Sequence, residues 1–347
     1  MEIKILGRDR AVCFEVGPGE RILHAGLRQG FALPYECASG TCGTCRATLV
    51  RGEVDDLWPD APGRKHVKAD AGELLMCQHS ARSDCTLQLP GKLADAEPDA
   101  PLPRAHRAVV SATEWLTHDV MRFSVSLHDS CRFRAGQFML IGLPGLQGAR
   151  AYSMVNYDEP AHTLEFVIKN KPGGGFCERA FCAPFRDMCV TVFGPLGAAS
   201  FEPALDRNLL CIAGGTGVAG MMAMLSHAAA SGHLQHRRAD LFFGVRTAND
   251  LFFMRELTAL AERFPSALSV TLVLSDEPVS DHLRSSHPLL RFDQGFVHEA
   301  TARTMVGRYE GTRAYVAGPP VAVDAALRML LLEARLPATE IRYDKFG

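Results

Sequence analysis

The sequence has no apolar run long enough to cross a membrane, and its start, MEIKILGRDR, lacks the apolar core of a signal peptide. It also lacks a strong charge of either sign, since its net charge is −2. We therefore expect no nucleic-acid partner, because phosphate binding needs a basic surface. The cysteines number eleven, and an odd count disfavours a disulfide framework. Reduced thiols are typical of a cytosolic protein, so we expect a cytoplasmic location.

The length and composition indicate several ordinary globular domains. A chain of 347 residues exceeds the size at which a single hydrophobic core stops growing, so two or three domains are expected. Its 47% hydrophobic and 22% charged residues are the proportions of a folded protein rather than a disordered one. The sequence contains no internal repeat and no low-complexity segment.

One stretch, PYECASGTCGTC from Pro34 to Cys45, holds three cysteines spaced C-x4-C-x2-C, and a fourth follows in LLMCQHS. This is the ligand order of a plant-type [2Fe–2S] ferredoxin, in which four thiolates hold two irons. Gly40 and Gly43 allow positive-φ turns that point backbone N–H groups at the sulfurs. The predicted metal ligands are Cys37, Cys42, Cys45 and Cys77.

Three other interpretations of these cysteines are weaker. A structural zinc site usually has two C-x2-C pairs, and only one is present here. A thioredoxin-like motif needs two cysteines in a βαβ context, and buried free cysteines would not cluster in a Gly/Thr loop. His79 is a conceivable Rieske-type ligand, but with four cysteines at ferredoxin spacing we expect it on the surface or beside the ligands.

The first segment, up to about Pro90, has the pattern of a small sheet gripping one helix, which resembles the β-grasp ferredoxin fold. The stretch Gly91–Pro103, GKLADAEPDAPLP, has three prolines and no periodicity, which indicates a linker. An ordered strap across the domain surface is the alternative. Strands are predicted at Glu2–Leu6, Ala11–Val16, Arg46–Val50 and Cys85–Leu89, with a helix over Glu20–Gln29.

From Arg104 to about Glu202 the pattern is all-β. Six alternating runs separated by Gly/Pro turns predict a closed antiparallel barrel. Within it, a Gly-rich stretch from Lys169 to Cys177 leads into a helix from Glu178. The runs are Ala108–Trp115, Val120–Leu127, Gln137–Leu143, Ala151–Asn156, Thr163–Lys169 and Met188–Phe193.

After Asp206, strands alternate with helices, which predicts a parallel sheet with helices on both faces. The turn Gly214-Gly215-Thr216-Gly217 joins a strand to a helix, where backbone N–H groups and the positive helix end can face an anion. Such a turn is weak evidence alone, and the full G-x-G-x-x-G fingerprint is absent. The expected strands are Asn208–Ala213, Ala239–Val245, Leu268–Leu274 and Ala314–Ala317, and the helices Val218–Ser231, Leu251–Phe264 and Val321–Ala334.

Two further segments of this region end strands and support nucleotide binding. One contains Gly244 and Arg246, and the other contains Gly318 and Pro319. Both fall at the carboxyl edge of the predicted sheet, where doubly wound folds bind ligands. The barrel adds the sequence Arg150-Ala151-Tyr152-Ser153, whose arginine, tyrosine and serine can hold a pyrophosphate, stack on an aromatic ring and bond a ring nitrogen. An ordinary barrel strand with an exposed arginine is the alternative.

Together these motifs resemble the iron–sulfur flavoprotein reductases of multicomponent bacterial oxygenases, in the ferredoxin–NADP reductase superfamily. The resemblance covers nearly the whole chain in domain order. It implies a multidomain α+β and α/β fold: a β-grasp ferredoxin domain (residues 1–92), a linker (93–103), an antiparallel FAD-binding β-barrel (104–204) and a doubly wound parallel-sheet NAD(P)H domain (205–347).

The resemblance also implies roles for individual residues. Ser153 near the flavin N5 and Thr216 beside the nicotinamide are expected at the site of hydride transfer. Phe346, in the terminal segment IRYDKF, is expected near the flavin. The remaining expected cofactor-binding residues are Arg150, Tyr152, Lys169, Gly174, Gly175 and Cys177 for FAD, and Gly214, Gly215, Gly217, Gly244, Arg246, Gly318 and Pro319 for NAD(P)H.

Three positions depart from the family pattern. Cys177 stands where Ser or Thr is common, which weakens one side-chain contact to phosphate. Gly220 replaces a usual proline, and Ala317 replaces a cysteine that many members carry beside the nicotinamide. None of the three removes a cofactor, but the third leaves the positioning of the hydride donor open.

The function that this resemblance implies is NADH-dependent electron transfer, from NADH to FAD to the [2Fe–2S] cluster and on to a separate oxygenase. A flavin handles electrons in pairs or singly, whereas the cluster accepts one at a time. NADH is expected over NADPH because Arg246 is followed by Thr247, Ala248, Asn249 and Asp250 rather than by a basic cluster, although Arg255 keeps NADPH open. A reductase for a deoxysugar dehydratase and a non-enzymatic redox sensor are the alternatives.

Overall fold

The computed structural model describes residues 1–95, 97, 99–182 and 184–345. The chain divides into two compact units. Among the described residues, no helix has the length and apolar character needed to span a bilayer. The first unit comprises Met1–Ala108, Met139–Ala151 and Cys189–Leu196, and the second comprises Val109–Phe138, Tyr152–Met188 and Gly197–Gly347.

The first segment forms the predicted small sheet around one helix. Ile3 and Ile5 alternate with exposed neighbours along the first strand and are fully buried, as the period of two requires. The helix α1 (Ile22–Arg28) buries all but its last residue. The strands are β1 (Glu2–Leu6), β2 (Ala11–Glu15), β3 (Arg46–Arg51), β4 (Val54–Asp56), β5 (Glu73–Leu75), β6 (His79–Ala81) and β7 (Cys85–Gln88). Five of them form a sheet in the order β2-β1-β7-β3-β5, and β4 pairs with β6.

The first residues of the predicted linker are an ordered strap. The backbone N–H of Arg8 donates to the Gly91 carbonyl at 3.0 Å, and that of Leu93 donates to Oδ1 of Asp9 at 3.0 Å. Leu93 is buried, so an apolar anchor accompanies these bonds. The alternative of a strap therefore holds for residues 91–95, while Ala96 and Pro98 lie outside the described residues.

The middle segment forms a six-stranded sheet in the order β11-β10-β13-β8-β9-β12. β9 and β12 pair antiparallel, with Val125 opposite Leu164. The N–H of Val155, just after β11, donates to the carbonyl of Glu165 in β12 at 2.8 Å. This bond joins the two ends of the strand order, so the sheet curls as the predicted barrel does. The elements are β8 (Arg104–Trp115), β9 (Val120–Cys131), β10 (Phe138–Gly142), β11 (Arg150–Ser153), β12 (Ala161–Lys169), α2 (Gly175–Cys182) and β13 (Cys189–Leu196).

The last segment is the predicted parallel sheet, in the order β17-β16-β15-β14-β18-β19. Every neighbouring pair in it is parallel. Its strands are β14 (Asn208–Gly214), β15 (Ala239–Val245), β16 (Leu268–Leu274), β17 (Arg291–Gln294), β18 (Thr312–Gly318) and β19 (Ile341–Lys345). Its helices are α3 (Val218–Ala230), α4 (Met254–Arg263), α5 (Asp281–Ser286), α6 (Val297–Thr304) and α7 (Pro320–Arg328), the last continuing as a π-helical turn, Met329–Glu333.

Helices cover both faces of this sheet. In β14, Cys211 belongs to the core that includes α3 and α4, whereas Leu210 and Ile212 belong to the core that includes α6 and α7. Successive residues of a strand point to opposite faces, so the two cores lie on opposite sides. The doubly wound arrangement is therefore confirmed.

Some elements differ from the prediction. The helix expected from Leu251 begins at Met254, because residues 248–250 form a 3₁₀ turn and Phe253 has a left-handed φ of 60°. Three elements were not predicted: β17, α5 and α6. These are short elements of four to eight residues, for which hydrophobic periodicity is a weak signal.

Candidate functional site

The four predicted metal ligands come from two places in the first unit. Cys37, Cys42 and Cys45 lie in the loop between α1 and β3, and Cys77 lies between β5 and β6. The Sγ atoms of Cys45 and Cys77 are 3.2 Å apart. Cys42 is half-buried, and the other three thiols are buried. The fold therefore brings the distant cysteine to the loop, as a four-thiolate site requires.

Backbone N–H groups of the loop point at its sulfurs. Those of Ser39, Thr41 and Cys42 each approach Sγ of Cys37 at 3.4 Å, and that of Thr44 approaches Sγ of Cys42 at 3.4 Å. A hydrogen bond from the Cys42 thiol, together with bonds from Thr41 and Ser39, lowers the pKa of the Cys37 thiol. The loop is thus arranged to stabilise negative charge on sulfur.

Two glycines permit this loop conformation. Gly40 and Gly43 have φ values of 87° and 78°, as predicted. A Cβ at Gly43 would lie 2.6 Å from Cβ of His66, and one at Gly40 would lie 2.9 Å from the amide nitrogen of Gln78. Ala38, at φ 52°, is a left-handed residue that the sequence analysis did not single out. The loop therefore contains left-handed residues, and the side chains of His66 and Gln78 pack closely against it.

His79 lies beside the cysteines and is bonded elsewhere. Its Nδ1 is 3.0 Å from the carbonyl oxygen of Leu75, and its Nε2 is 3.9 Å from Asp56. Burial lowers the pKa of His79, which favours the neutral ring. The ligand set that fits a [2Fe–2S] cluster is therefore the four thiols with their converging N–H donors, without this histidine.

The residues expected to bind the flavin ring lie on β11. Ser153 is buried, whereas Tyr152 is half-buried. The Tyr152 ring packs at 5.1 Å from that of Phe176 and edge-on at 6.0 Å from that of Phe123. This aromatic cluster fixes the tyrosine in place and suits an aromatic ring as ligand.

The Gly-rich turn precedes the N-terminus of α2, as expected for a phosphate site. α2 begins at Gly175 rather than at Glu178. Sγ of Cys177 donates to the Lys169 carbonyl at 3.4 Å, so the thiol bonds to the protein backbone. The N–H of Gly174 also donates within the turn, to the Lys171 carbonyl at 3.0 Å. A cofactor phosphate can therefore face the N-terminus of α2 but gains little from the Cys177 side chain.

Lys169 is paired with two carboxylates. Its Nζ lies 2.7 Å from Asp119 and 3.7 Å from Asp250. Although burial works against ionisation of Asp119, the Lys169 ammonium lowers the pKa of that carboxyl below its ordinary value. The ion pair with Asp250 connects the end of β12 to the loop after β15. Direct binding of a cofactor by Lys169 stays a prediction.

The predicted dinucleotide turn lies against the end of β18. A Cβ at Gly217 would lie 2.3 Å from the carbonyl oxygen of Ala317, and one at Gly318 would lie 2.8 Å from that of Gly214. A Cβ at Gly215 would meet nothing within 4 Å, so that side of the turn is open. The structure thus brings Gly214, Gly217 and Gly318 together around a turn that can admit a ligand.

The two residues expected at hydride transfer lie on neighbouring elements. Thr216 lies in the 3₁₀ turn Gly215–Gly217 before α3, and Gly220 lies in the first turn of that helix. A Cβ at Gly220 would be 3.4 Å from Cβ of Ser153 and 3.3 Å from the carbonyl oxygen of Gly136. Gly220 therefore lies where α3 closely approaches β11.

Arg246 and Gly244 lie at the end of β15. A Cβ at Gly244 would be 2.8 Å from Cβ of Val297, which gives this glycine a packing role, and Arg246 is exposed. Next to them, Oε1 of Glu277 accepts the backbone N–H of Ala248 at 2.6 Å. Glu277 was not predicted, because no local sequence pattern marks a contact between separate loops.

Of the remaining predicted residues, the structure describes Pro319 but not Phe346. Pro319 precedes α7 and lies 3.2 Å from an ideal Cβ on Gly214. The terminal strand β19 pairs with β18 in parallel, but Phe346 lies outside the described residues. Its expected place near the flavin stays a prediction.

Three family models match the chain in the predicted order. They are a 2Fe-2S iron-sulfur cluster binding domain over residues 5–82, an oxidoreductase FAD-binding domain over residues 107–201 and an oxidoreductase NAD-binding domain over residues 211–327. The ferredoxin--NAD(+) reductase component of the alkene monooxygenase system of Xanthobacter autotrophicus is 35% identical over 96% of this chain and 97% of its own length. This chain belongs to the ferredoxin–NAD(P)⁺ reductase components of oxygenase systems.

Other relatives of this reductase agree. The ferredoxin--NAD(P)(+) reductase CarAd of Metapseudomonas resinovorans is 33% identical over 99% of each chain. The solved ferredoxin reductase in carbazole 1,9a-dioxygenase has 30% identity and a TM-score of 0.83, with 100% of this chain and 99% of that chain covered. The Amycolatopsis cytochrome P450 reductase GcoB has 28% identity and a TM-score of 0.79, with 99% and 98% covered. The predicted fold class, the oxidoreductase activity and the use of a [2Fe–2S] cluster, FAD and NAD(P)H are therefore confirmed.

Proposed function

We propose that this reductase takes electrons from NADH in preference to NADPH and delivers them to a separate terminal oxygenase that acts on an aromatic or aliphatic hydrocarbon. The observation that carries the proposal is the four-thiol loop in one chain with a flavin domain and a nicotinamide domain. When bound, FAD supplies acceptance of electron pairs and their release one at a time, and the cluster supplies single-electron transfer.

The residues of this chain supply binding and orientation. The proposed role of the Arg150 guanidinium is to hold the flavin pyrophosphate, because a planar fork of N–H donors suits phosphate. Tyr152, braced by Phe176, offers a ring face to the flavin, and the Ser153 hydroxyl is the proposed hydrogen-bond donor to it. The approach of α3 to β11 at Gly220 supports placing Thr216 and the nicotinamide on the same side as Ser153.

The preference for NADH is supported by carboxylates in and beside the segment after Arg246, where we place the ribose that carries the 2′-phosphate in NADPH. Glu277 bonds the Ala248 amide, and Asp250 accepts the N–H and hydroxyl of Thr247 at 3.0 and 2.9 Å. A 2′-phosphate there would meet two negative charges, whereas a ribose hydroxyl could donate to a carboxylate. In this respect Glu277 is a specificity residue of the proposed reaction.

One experiment tests both parts of the proposal. NADH added anaerobically to the purified protein should bleach both flavin and cluster absorbance, and the reduced protein should support turnover of an oxygenase encoded nearby. The value of kcat/KM should be higher for NADH than for NADPH. Glu277→Gln should bring the two values closer together by lowering KM for NADPH. A protein that prefers NADPH, or that NADH cannot bleach, contradicts the proposal.

A cytoplasmic location is also proposed. All eleven cysteines are free, including the buried thiols of the cluster loop, and such thiols persist in a reducing compartment. Cell fractionation with a tagged chain tests this proposal, and recovery in an oxidising compartment contradicts it.

A further inference from the structure

Trp58 lies in a segment that is hydrogen-bonded to the residue after the fourth cysteine of the cluster site. It follows β4 and is only 8% exposed. The N–H of the adjacent Leu57 donates to the carbonyl of Gln78 at 2.8 Å, and Gln78 directly follows Cys77. The indole is therefore carried by a backbone segment that is fixed beside a predicted metal ligand.

The same segment also touches the three-cysteine loop. The N–H of Ala61 donates to the Trp58 carbonyl at 3.1 Å, and that of Gly63 donates to the Gly40 carbonyl at 2.7 Å. A Cβ at Gly63 would lie 2.8 Å from the same Gly40 oxygen, so the two backbones meet without room for a side chain. Residues 57–63 are thus bonded to both halves of the cluster site.

The other side of the indole faces the strand of the proposed flavin arginine. Cζ of Arg150 lies 4.8 Å from the centre of the Trp58 ring, within the range of a cation–π contact. Gly148, at φ 72°, packs so closely that a Cβ there would lie 2.3 Å from two ring carbons. The segment that carries Arg150 therefore lies flat against the tryptophan.

This contact leaves the arginine able to bind an anion. A guanidinium over a ring face keeps its in-plane N–H donors, of which it has five. Within the described part of the chain, the Arg150 guanidinium makes one hydrogen bond, from Nη1 to the Ala149 carbonyl at 3.2 Å. The side chain is half-buried, so its charge is partly desolvated at this position.

We propose that Trp58 is a positioning residue that couples FAD binding to the cluster-bearing segment by holding Arg150 ready for the flavin pyrophosphate. The inference rests on the proposed function through the role given to Arg150. Fixing a long side chain before the ligand arrives removes an entropy cost from binding. Because such coupling is reciprocal, bound FAD should in turn stabilise the segment that carries the cluster.

The test measures FAD affinity in protein stripped of flavin but retaining its cluster. Trp58→Leu should raise the Kd for FAD about 10-fold, and Trp58→Phe should raise it less, because phenylalanine is the weaker cation–π partner. Trp115→Phe is the matched control, since Trp115 is the other tryptophan, is 57% exposed and packs on Phe181. Visible circular dichroism of the cluster shows whether each variant keeps its fold.

A double-mutant cycle separates positioning from simple packing. If Trp58 acts through Arg150, then Trp58→Leu should not weaken FAD binding further in an Arg150→Leu background. The wild type should also retain its cluster to a higher temperature with FAD than without it, and Trp58→Leu should reduce that difference. Equal losses in both backgrounds, an unchanged Kd or a lower Kd in Trp58→Leu overturn the proposal.

If Trp58→Leu does not retain its cluster, a second variant tests the proposal. Gly148→Ala keeps the tryptophan, but its Cβ would push the indole away from the segment that carries Arg150, so it should raise the Kd for FAD as well. An unchanged Kd for that variant counts against the proposal. Wild-type protein that binds FAD but is not bleached by NADH would refute the proposed function. In that case the Kd values for FAD would still show whether Trp58 positions Arg150.

Discussion

Replacing Gly217 by alanine tests the proposed dinucleotide turn most sharply. The backbone of Gly217 has φ −60° and ψ −18°, which alanine adopts without strain, so only steric effects count. The added Cβ would lie 2.3 Å from the carbonyl oxygen of Ala317 and 2.7 Å from the amide nitrogen of Gly318. These are backbone atoms of β18, which is held between β14 and β19 and cannot easily move aside.

The size of this effect follows from the cost of overpacking. Forcing an extra methyl group into a tight contact costs about 1–3 kcal/mol, which exceeds the ~0.5–1 kcal/mol that replacing a helical glycine otherwise gains. If the turn shifts to relieve the clash, the Kd for NADH should rise by roughly 5- to 100-fold, since ~1.4 kcal/mol corresponds to tenfold. FAD content and the cluster spectrum should not change.

Affinity for NADH is obtained from the rate of flavin bleaching as a function of NADH concentration. Stability is obtained from the temperature of unfolding. Gly91→Ala is the matched control, because a Cβ there would meet nothing within 4 Å and its φ is not left-handed. Wild-type affinity for NADH in Gly217→Ala would refute the idea that this close approach shapes the nucleotide site.

Two further predictions concern the cluster loop and the pH dependence of stability. Gly43→Ala should lower cluster content well below that of wild type, measured as iron per chain, because its Cβ would clash with His66 at a left-handed φ of 78°. Burial lowers the pKa of His227 below its ordinary 6.5, so the unfolded chain binds the proton more readily and stability falls as pH drops below about 6.5. His227→Phe, which can keep the stack on Tyr157, should flatten the fall in unfolding temperature between pH 7 and pH 5, and an equally steep fall would contradict this reasoning.

The grouping of the four cysteines and most strands of the parallel sheet could be predicted because their signals are local. The spacing of Cys37, Cys42 and Cys45 is set by a short loop, and the alternation in Ala239–Val245 or Leu268–Leu274 marks a strand without knowledge of its neighbours. The predicted bounds of those two strands agree with the structure residue for residue.

What the sequence did not reveal depends on contacts between distant segments. The strap that Leu93 anchors, the indole of Trp58 over Arg150 and the bond from Ala248 to Glu277 each join residues far apart in the chain. Short elements were also missed, although Ser280, whose Oγ accepts the Leu283 N–H at 3.2 Å, is a capping signal that marks the start of α5.

The central claim is that this chain converts electron pairs from a nicotinamide carrier into single electrons through its four-thiol site. The most direct measurement uses the Cys42→Ala variant in an anaerobic rapid-mixing experiment. It records reduction of the flavin by NADH and reduction of the oxygenase by the variant in the same reaction. The variant should take up hydride from NADH as wild type does yet fail to reduce the oxygenase, while Cys13→Ala, which removes an exposed thiol of the same segment, should do both. Full oxygenase turnover with Cys42→Ala would contradict the account.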